Sequence, residues 1–247
     1  MKLELWEKDM VLFMRHASEY SDYYRQLTKK MLPWLSPDDH ICDAGSGLGY
    51  LSLALAPYVR QVTAVERNPD AAAVLTENCQ TSAVTNVTSL CAAVGDTLPD
   101  KPYDAMVFCF FGRKREILRL AKKQCTGNVF VFTRNYDNHR FSAGTHRTSY
   151  EGYPQFLDTL AALDIPAHQE TFTLEMGQPF RNTEEAHRFF RLYSKDTNKD
   201  VLTDSFIRSR LTETGREDFP FYLPHQKHIG FLRFSVKDIP DSIPEGE

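Results

Sequence analysis

The 247-residue sequence has no surplus of basic residues, no paired cysteines and no long apolar run, and each absence removes a class of function. Lysine and arginine number 29 against 33 acids, a formal charge of -4, so the chain carries no electrostatic footprint for nucleic acid. Its one basic cluster, Arg113-Lys114-Arg115 with Lys122-Lys123, fits a solvated helix face. The five cysteines, Cys42, Cys79, Cys91, Cys109 and Cys125, are odd in number and never form Cys-x-x-Cys, which argues against a disulfide framework and a zinc site. Reduced thiols, a cytoplasmic location and no resident metal are the expectation. The stretch Met1 to Asp9 has acids and no apolar leader core, and no run of about 18 apolar residues occurs. Neither secretion nor a membrane partner is expected.

What is present is an ordinary globular composition, 42% hydrophobic and 25% charged, enough to bury a core as one α/β domain over residues 1–247. The organising stretch is Asp43-Ala44-Gly45-Ser46-Gly47-Leu48-Gly49, set between Ile41-Cys42 and the helix-like Tyr50-Leu51-Ser52-Leu53-Ala54-Leu55. A strand, a tight glycine turn and a helix N-terminus let backbone amides approach a ligand closely, here a nucleotide or nucleoside. Strand-like segments at 40–43, 61–66, 87–91, 105–111 and 128–134 alternate with helix-like ones at 49–57, 69–82 and 113–123. That alternation predicts a doubly wound, Rossmann-like parallel sheet covered on both faces. Asn68-Pro69 reads as a helix start, and Gly127 as the stop after the helix ending at Lys122-Lys123. A helix at 154–163 and strands at 168–176 and 228–236 complete seven strands, giving a sheet core over 37–176 and 222–238.

Two flanking segments stand apart. Residues 1–36 place Leu5, Met10, Phe13, Met14, Ala17, Tyr20, Tyr23, Tyr24, Leu27 and Met31 at helical spacing, which predicts an N-terminal helical cap. Residues 177–221 read as a helical insertion, and the two together are expected to form a lid that sets specificity. The tail from Ile239 to Glu245 reads as a loose surface segment.

The glycine turn excludes two common ligand classes. Tyr50 stands where a dinucleotide fingerprint has its third glycine, and no Gly-Lys-Ser/Thr follows for a P-loop. Asp43 instead precedes the first glycine by two residues, and Glu66 ends the next strand, where a carboxylate can accept from both ribose hydroxyls. Asp43-Ala44-Gly45-Ser46-Gly47-Leu48-Gly49, followed by Val62-Thr63-Ala64-Val65-Glu66-Arg67-Asn68-Pro69, resembles the first two motifs of class I S-adenosylmethionine-dependent methyltransferases. The resemblance covers about residues 38–135 and implies S-adenosylmethionine as cofactor and an antiparallel last strand. It places Asp43, Gly45, Ser46, Gly47 and Gly49 along the methionine part, Glu66 on the ribose and Arg67 beside the adenine. Many members carry an Asp after the third strand; here Ala93 occupies that point, leaving backbone near Ala93, or Asp96, to meet the adenine. Cys109 and Tyr20 complete the expected cofactor-binding set, Cys109 as a buried strand-end thiol and not a nucleophile.

The acceptor side is thinner. Cys109-Phe110-Phe111-Gly112 stands where adenine-N6 and glutamine methyltransferases have Asn/Asp-Pro-Pro-Tyr/Phe, which weighs against those acceptors. An activated methyl needs alignment and, for a hydroxyl acceptor, a base. His139 and His146, in the polar loop 135–149, are the candidate catalytic bases. His225 and His228 have the spacing of a metal pair but no evident further ligands. Methyl transfer to a small-molecule acceptor is the leading expectation. An RNA or protein methyltransferase and a non-catalytic S-adenosylmethionine binder are the alternatives, an NAD-dependent oxidoreductase comes last, and a homodimer is left open.

Overall fold

Strands apolar on both faces must lie inside a covered sheet, and the chain builds such a sheet. The computed structural model describes residues 8–147 and 152–243; Leu5, the 148–149 end of the polar loop and the 244–245 part of the tail lie outside them. Helices α1 (Lys8–Tyr20) and α2 (Tyr23–Met31) come first. Next are β1 (His40–Ala44), α3 (Tyr50–Leu55), β2 (Gln61–Glu66), α4 (Pro69–Thr81) and β3 (Val87–Cys91). They are followed by β4 (Tyr103–Cys109), α5 (Lys114–Gln124), β5 (Cys125–Arg134), α6 (Tyr153–Ala162) and β6 (Ala167–Glu175). The remaining elements are β7 (Gln178–Phe180), α7 (Thr183–Tyr193), α8 (Asp204–Arg210), β8 (Thr212–Glu213), β9 (Phe221–Leu223) and β10 (Gln226–Ser235).

Seven strands pair in the order β3-β2-β1-β4-β5-β10-β6, and only β10 runs against its neighbours. The order reverses between β1 and β4, so the carboxyl ends of those two strands open a crevice at the switch point. Alternate residues feed two cores. Met106 and Phe108 face Ile117, Leu118 and Phe156 of α5 and α6. Ala105 and Val107 face the other layer, where Tyr23, Leu27, Leu51 and Leu55 of α2 and α3 pack. The start of α4 follows from its sequence: the Asn68 side chain accepts from the amides of Asp70 and Ala71, and Pro69 takes the first helical position.

Three expectations need correction. Gly127 does not stop a helix; α5 runs straight into β5, and Gly127 sits within the strand where a Cβ would lie 2.1 Å from the Asp104 carbonyl oxygen. Close backbone approach is the reason for that glycine. Residues 177–221 are not simply helical: β7, β9 and β8 form a three-stranded antiparallel sheet beside α7 and α8. The segment shares a core with α1, since Phe13 meets the edges of Phe180 and Phe189 at 6.1 and 5.3 Å. Finally, Lys122 is not merely solvated and the tail is not loose at its start. Lys122 Nζ donates to the Ile239 carbonyl at 2.7 Å, and Ile239 is buried.

Candidate active site

The glycine turn is shaped by backbone that only glycine holds easily. Gly45, Gly47 and Gly49 have φ of 70°, 54° and 82°. A Cβ on Gly45 would lie 2.2 Å from the Phe111 ring, and one on Gly49 2.6 Å from Leu75 Cγ, so space as well as φ requires glycine. The amides of Gly45 and Ser46 donate to the Val65 carbonyl at 2.9 and 3.1 Å, tying the turn to β2.

Glu66 links the two loops at this edge. Its carboxylate accepts from the Gly47 amide at 3.0 Å and the Asn68 amide at 2.8 Å, which fixes it facing the turn. Asp43, 1% exposed, accepts from Ser52 Oγ at 2.5 Å. Burial pushes the Asp43 carboxyl up to about 6, against the pull of the Ser52 hydrogen bond. The Ser46 hydroxyl is buried with no partner among the described residues. Gly45, Glu66, Arg67, Ala93 and Phe111 line one cavity here. Ala93 is among its walls; Asp96 is exposed outside it.

A larger cleft lies at the end of β4. Phe110 holds φ of 54°, a left-handed conformation costly for a side chain, while its amide donates to the Phe132 carbonyl at 2.8 Å. The cleft, about 520 Å³, is walled by Phe110, Phe111, Phe132, Arg134, Tyr136 and Lys227 among others. Phe111 lines both cavities, so they meet across its ring. Burial pushes the Cys109 thiol up to about 12, with the nearby Lys227 charge opposing and Asp43 adding. Cys109 therefore stays a protonated thiol, as expected of a strand-end residue.

Lys227 is the residue that sequence reasoning passed over, between His225 and His228. Its Nζ stands 3.6 Å from the Phe110 ring centroid and 5.3 Å from that of Tyr23. Burial lowers its pKa to about 8, with Cys109 opposing. The signal was present: strand alternation puts Lys227 on the face of Ile229 and Phe231, both fully buried.

The tyrosines are redistributed. Tyr20 does not reach the turn; it stacks on Tyr222 at 5.1 Å, with Arg216 over its ring. Tyr24 stacks on Tyr50 at the head of α3 with 5.9 Å between centroids and lines neither cavity. His139 and His146 line neither cavity. His146 Nε2 meets Asp196 Oδ1 at 2.7 Å, and His139 Nδ1 meets Ser142 Oγ at 3.0 Å. Asp196 also accepts from the amides of Ala143 and Gly144 and from the Ser194 hydroxyl. Burial raises its carboxyl, yet these hydrogen bonds together hold it well below the usual range. The arrangement fastens the loop. His225 packs on Phe141, whereas the His228 ring bonds Thr173 Oγ1.

Residues 42–123 match a family described as a methyltransferase domain. Over 73 residues the chain is 41% identical to ribosomal RNA small subunit methyltransferase A of Corynebacterium glutamicum, covering 30% of this chain and 25% of that protein. The chain thus spans about a quarter of the length of that curated relative. The YcgJ protein from Bacillus subtilis superposes with a TM-score of 0.54 at 15% identity, over 86% of this chain and 98% of the other. Precorrin 8w decarboxylase from Methanobacterium thermoautotrophicum gives 0.51 at 17% identity, over 86% and 89%. At these identities the likeness is one of fold.

Proposed function

We propose that this chain, whose residues 42–123 match a methyltransferase-domain family, is a class I S-adenosylmethionine-dependent methyltransferase that transfers a methyl group to a small molecule held in the cleft beside Phe110. The observation that carries the reading is the pair of cavities meeting at Phe111, at the switch point of the sheet. The Glu66–Ala93 cavity suits a nucleoside, with an acid for ribose hydroxyls, and the unpartnered Ser46 hydroxyl and glycine amides suit the rest of the cofactor. Bound S-adenosylmethionine supplies an activated methyl group. The protein's share is alignment, for which a rigid turn and a walled cleft are the means.

A cleft of about 520 Å³ is the size of a small-molecule site, and its walls come from the ends of β4 and β5 and from Lys227, not from α1 or residues 178–223, which share a separate core. The net charge of -4 also favours a small acceptor over a polyanion. The rival reading, an RNA acceptor, draws on the likeness to a ribosomal RNA methyltransferase.

Calorimetric titration tests the donor side. S-adenosylhomocysteine should bind, and Glu66→Ala should weaken it roughly 10- to 100-fold through loss of charged hydrogen bonds; tight NAD binding in its place would sink the reading. Incubation with methyl-labelled S-adenosylmethionine and a cell extract tests the acceptor. Label should appear in the small-molecule fraction, and label confined to RNA would decide for the rival.

A further inference from the structure

The cleft beside Phe110 holds a lysine set apart from carboxylates. Lys227 is the second residue of β10, on the face of Ile229 and Phe231, and among the described residues no carboxylate pairs with it; the Cys109 thiol and the His225 ring are coupled to it electrostatically, and Arg113, Lys114 and Arg134 share the cleft. Cys109 is flanked in turn by Asp43, which closes β1 one residue before its end.

A second group stands unused beside it. The Tyr23 hydroxyl, on a residue 1% exposed, has no hydrogen-bond partner among the described residues. Its electrostatic neighbours are Cys109, Tyr24 and Tyr136, and Tyr136 lines the cleft. A buried unpaired hydroxyl is costly to a fold. Lys227 lines the cleft whose walls include the rings of Phe110, Phe111, Phe132 and Tyr136, whereas the Tyr23 hydroxyl lies outside that lining. Rings accept flat ligands by stacking or edge contact.

We propose that Lys227 is the general base of the reaction and that the acceptor is a planar molecule bearing a phenol-type hydroxyl, held among the rings of the cleft. This rests on the methyltransferase reading of the same site. The neutral amine of Lys227 takes the hydroxyl proton as the acceptor oxygen attacks the methyl carbon. A C–O bond forms, and the S–C bond breaks with its electron pair moving to sulfur. The products are a methyl ether, S-adenosylhomocysteine and a lysine ammonium, which returns its proton to water.

Lysine suits this role where arginine would not, since guanidinium keeps its proton at any working pH. With burial holding the amine near 8, roughly a tenth of it is neutral at pH 7.

The test uses the full chain. With lysines ¹³C-labelled at Cε and S-adenosylhomocysteine present, one resonance, absent from K227R, should titrate near pH 8; a midpoint above 10 overturns the proposal. Methyl transfer to a panel of phenols, 4-nitrophenol among them, should rise with pH to a plateau above 8 in the native protein. Lys227→Met should lower kcat 100-fold or more and abolish that rise, with S-adenosylhomocysteine affinity unchanged within twofold. K227R should fail as well, and a K227R protein that keeps its rate would make Lys227 a charge clamp and not a base. Unaltered kcat in Lys227→Met, or no phenol methylated by a protein that binds S-adenosylhomocysteine, overturns the proposal alone. Failure to bind S-adenosylhomocysteine at all overturns the methyltransferase reading beneath it.

Discussion

Asp43 is a carboxylate that folding discourages from ionising. Its native pKa, raised to about 6 by burial, exceeds the ordinary value of 3.8, so the folded chain holds a proton that the unfolded chain releases earlier. The sign follows. Below about pH 4 the group contributes nothing, between 4 and 6 stability falls as pH rises, and above 6 a constant cost of about 2–3 kcal/mol remains. Asp43→Asn keeps an acceptor for Ser52 and removes that cost. We expect its melting temperature to exceed the native protein's by roughly 5 °C at pH 7.5 and to match it near pH 4, read by calorimetry. The same variant should bind S-adenosylhomocysteine more weakly, because a group retained against stability is retained for a ligand. Equal melting temperatures at both pH values would remove Asp43 from that role. Asp43, Gly45, Gly47, Gly49 and Glu66 were legible in the sequence because their geometry is local: strand end, turn and next strand end. Tyr20 was misplaced and Lys227 missed because helical and strand periodicity give a face, while the choice among neighbours on that face is made by distant residues such as Tyr222 and Phe110.

At the level of elements, the mostly parallel sheet follows from alternation and the antiparallel β10 from the family resemblance, and both match the expectation. What escaped were devices that depend on contacts across the fold. Gly127 between a helix and a strand has two readings, and only the Asp104 carbonyl 2.1 Å from its virtual Cβ decides for the strand. Residues 177–221 carry two long helical patterns, which outweigh β7 and β8, strands of three and two residues. Such strands have no periodicity to read. Their pairing makes the segment a platform for α1, and Phe13 is the joint, buried against Phe180, Phe189 and Phe190. Phe13→Ala should cost about 3–5 kcal/mol. Because one core serves both segments, limited proteolysis should then cut in α1 and in 178–223 together while the seven-stranded sheet resists. Cleavage in α1 alone would mean that the two segments are separately stable.

Across the whole molecule, the proposed donor and acceptor sides differ in how far apart their residues lie in the chain. The donor side is drawn from 43–49, 66–67 and 93, whereas the cleft gathers Phe110, Arg134, Tyr136 and Lys227, and no window of sequence contains it. That is why the bases were sought at His139 and His146, the histidines nearest the carboxyl edge in sequence. In the fold, His146 serves a long-range tie: Asp196, just after α7, holds the Ala143 and Gly144 amides and the His146 ring of the loop that follows β5. The Asp196 carboxyl is held low, so its contribution is complete above its unfolded pKa near 4 and is lost only as pH falls further. Asp196→Ala strands two amides, a hydroxyl and an imidazole nitrogen, and should cost about 3 kcal/mol. Urea unfolding should show that gap constant from pH 8 to pH 5, and a gap that varied across this range would take the tie from the Asp196 carboxylate. The tie and the chemistry separate in His146→Gln. It should lose part of the same stability while methyl transfer per folded molecule stays within threefold, since His146 lines neither cavity. Loss of turnover with stability intact would return the base to the loop and take it from Lys227.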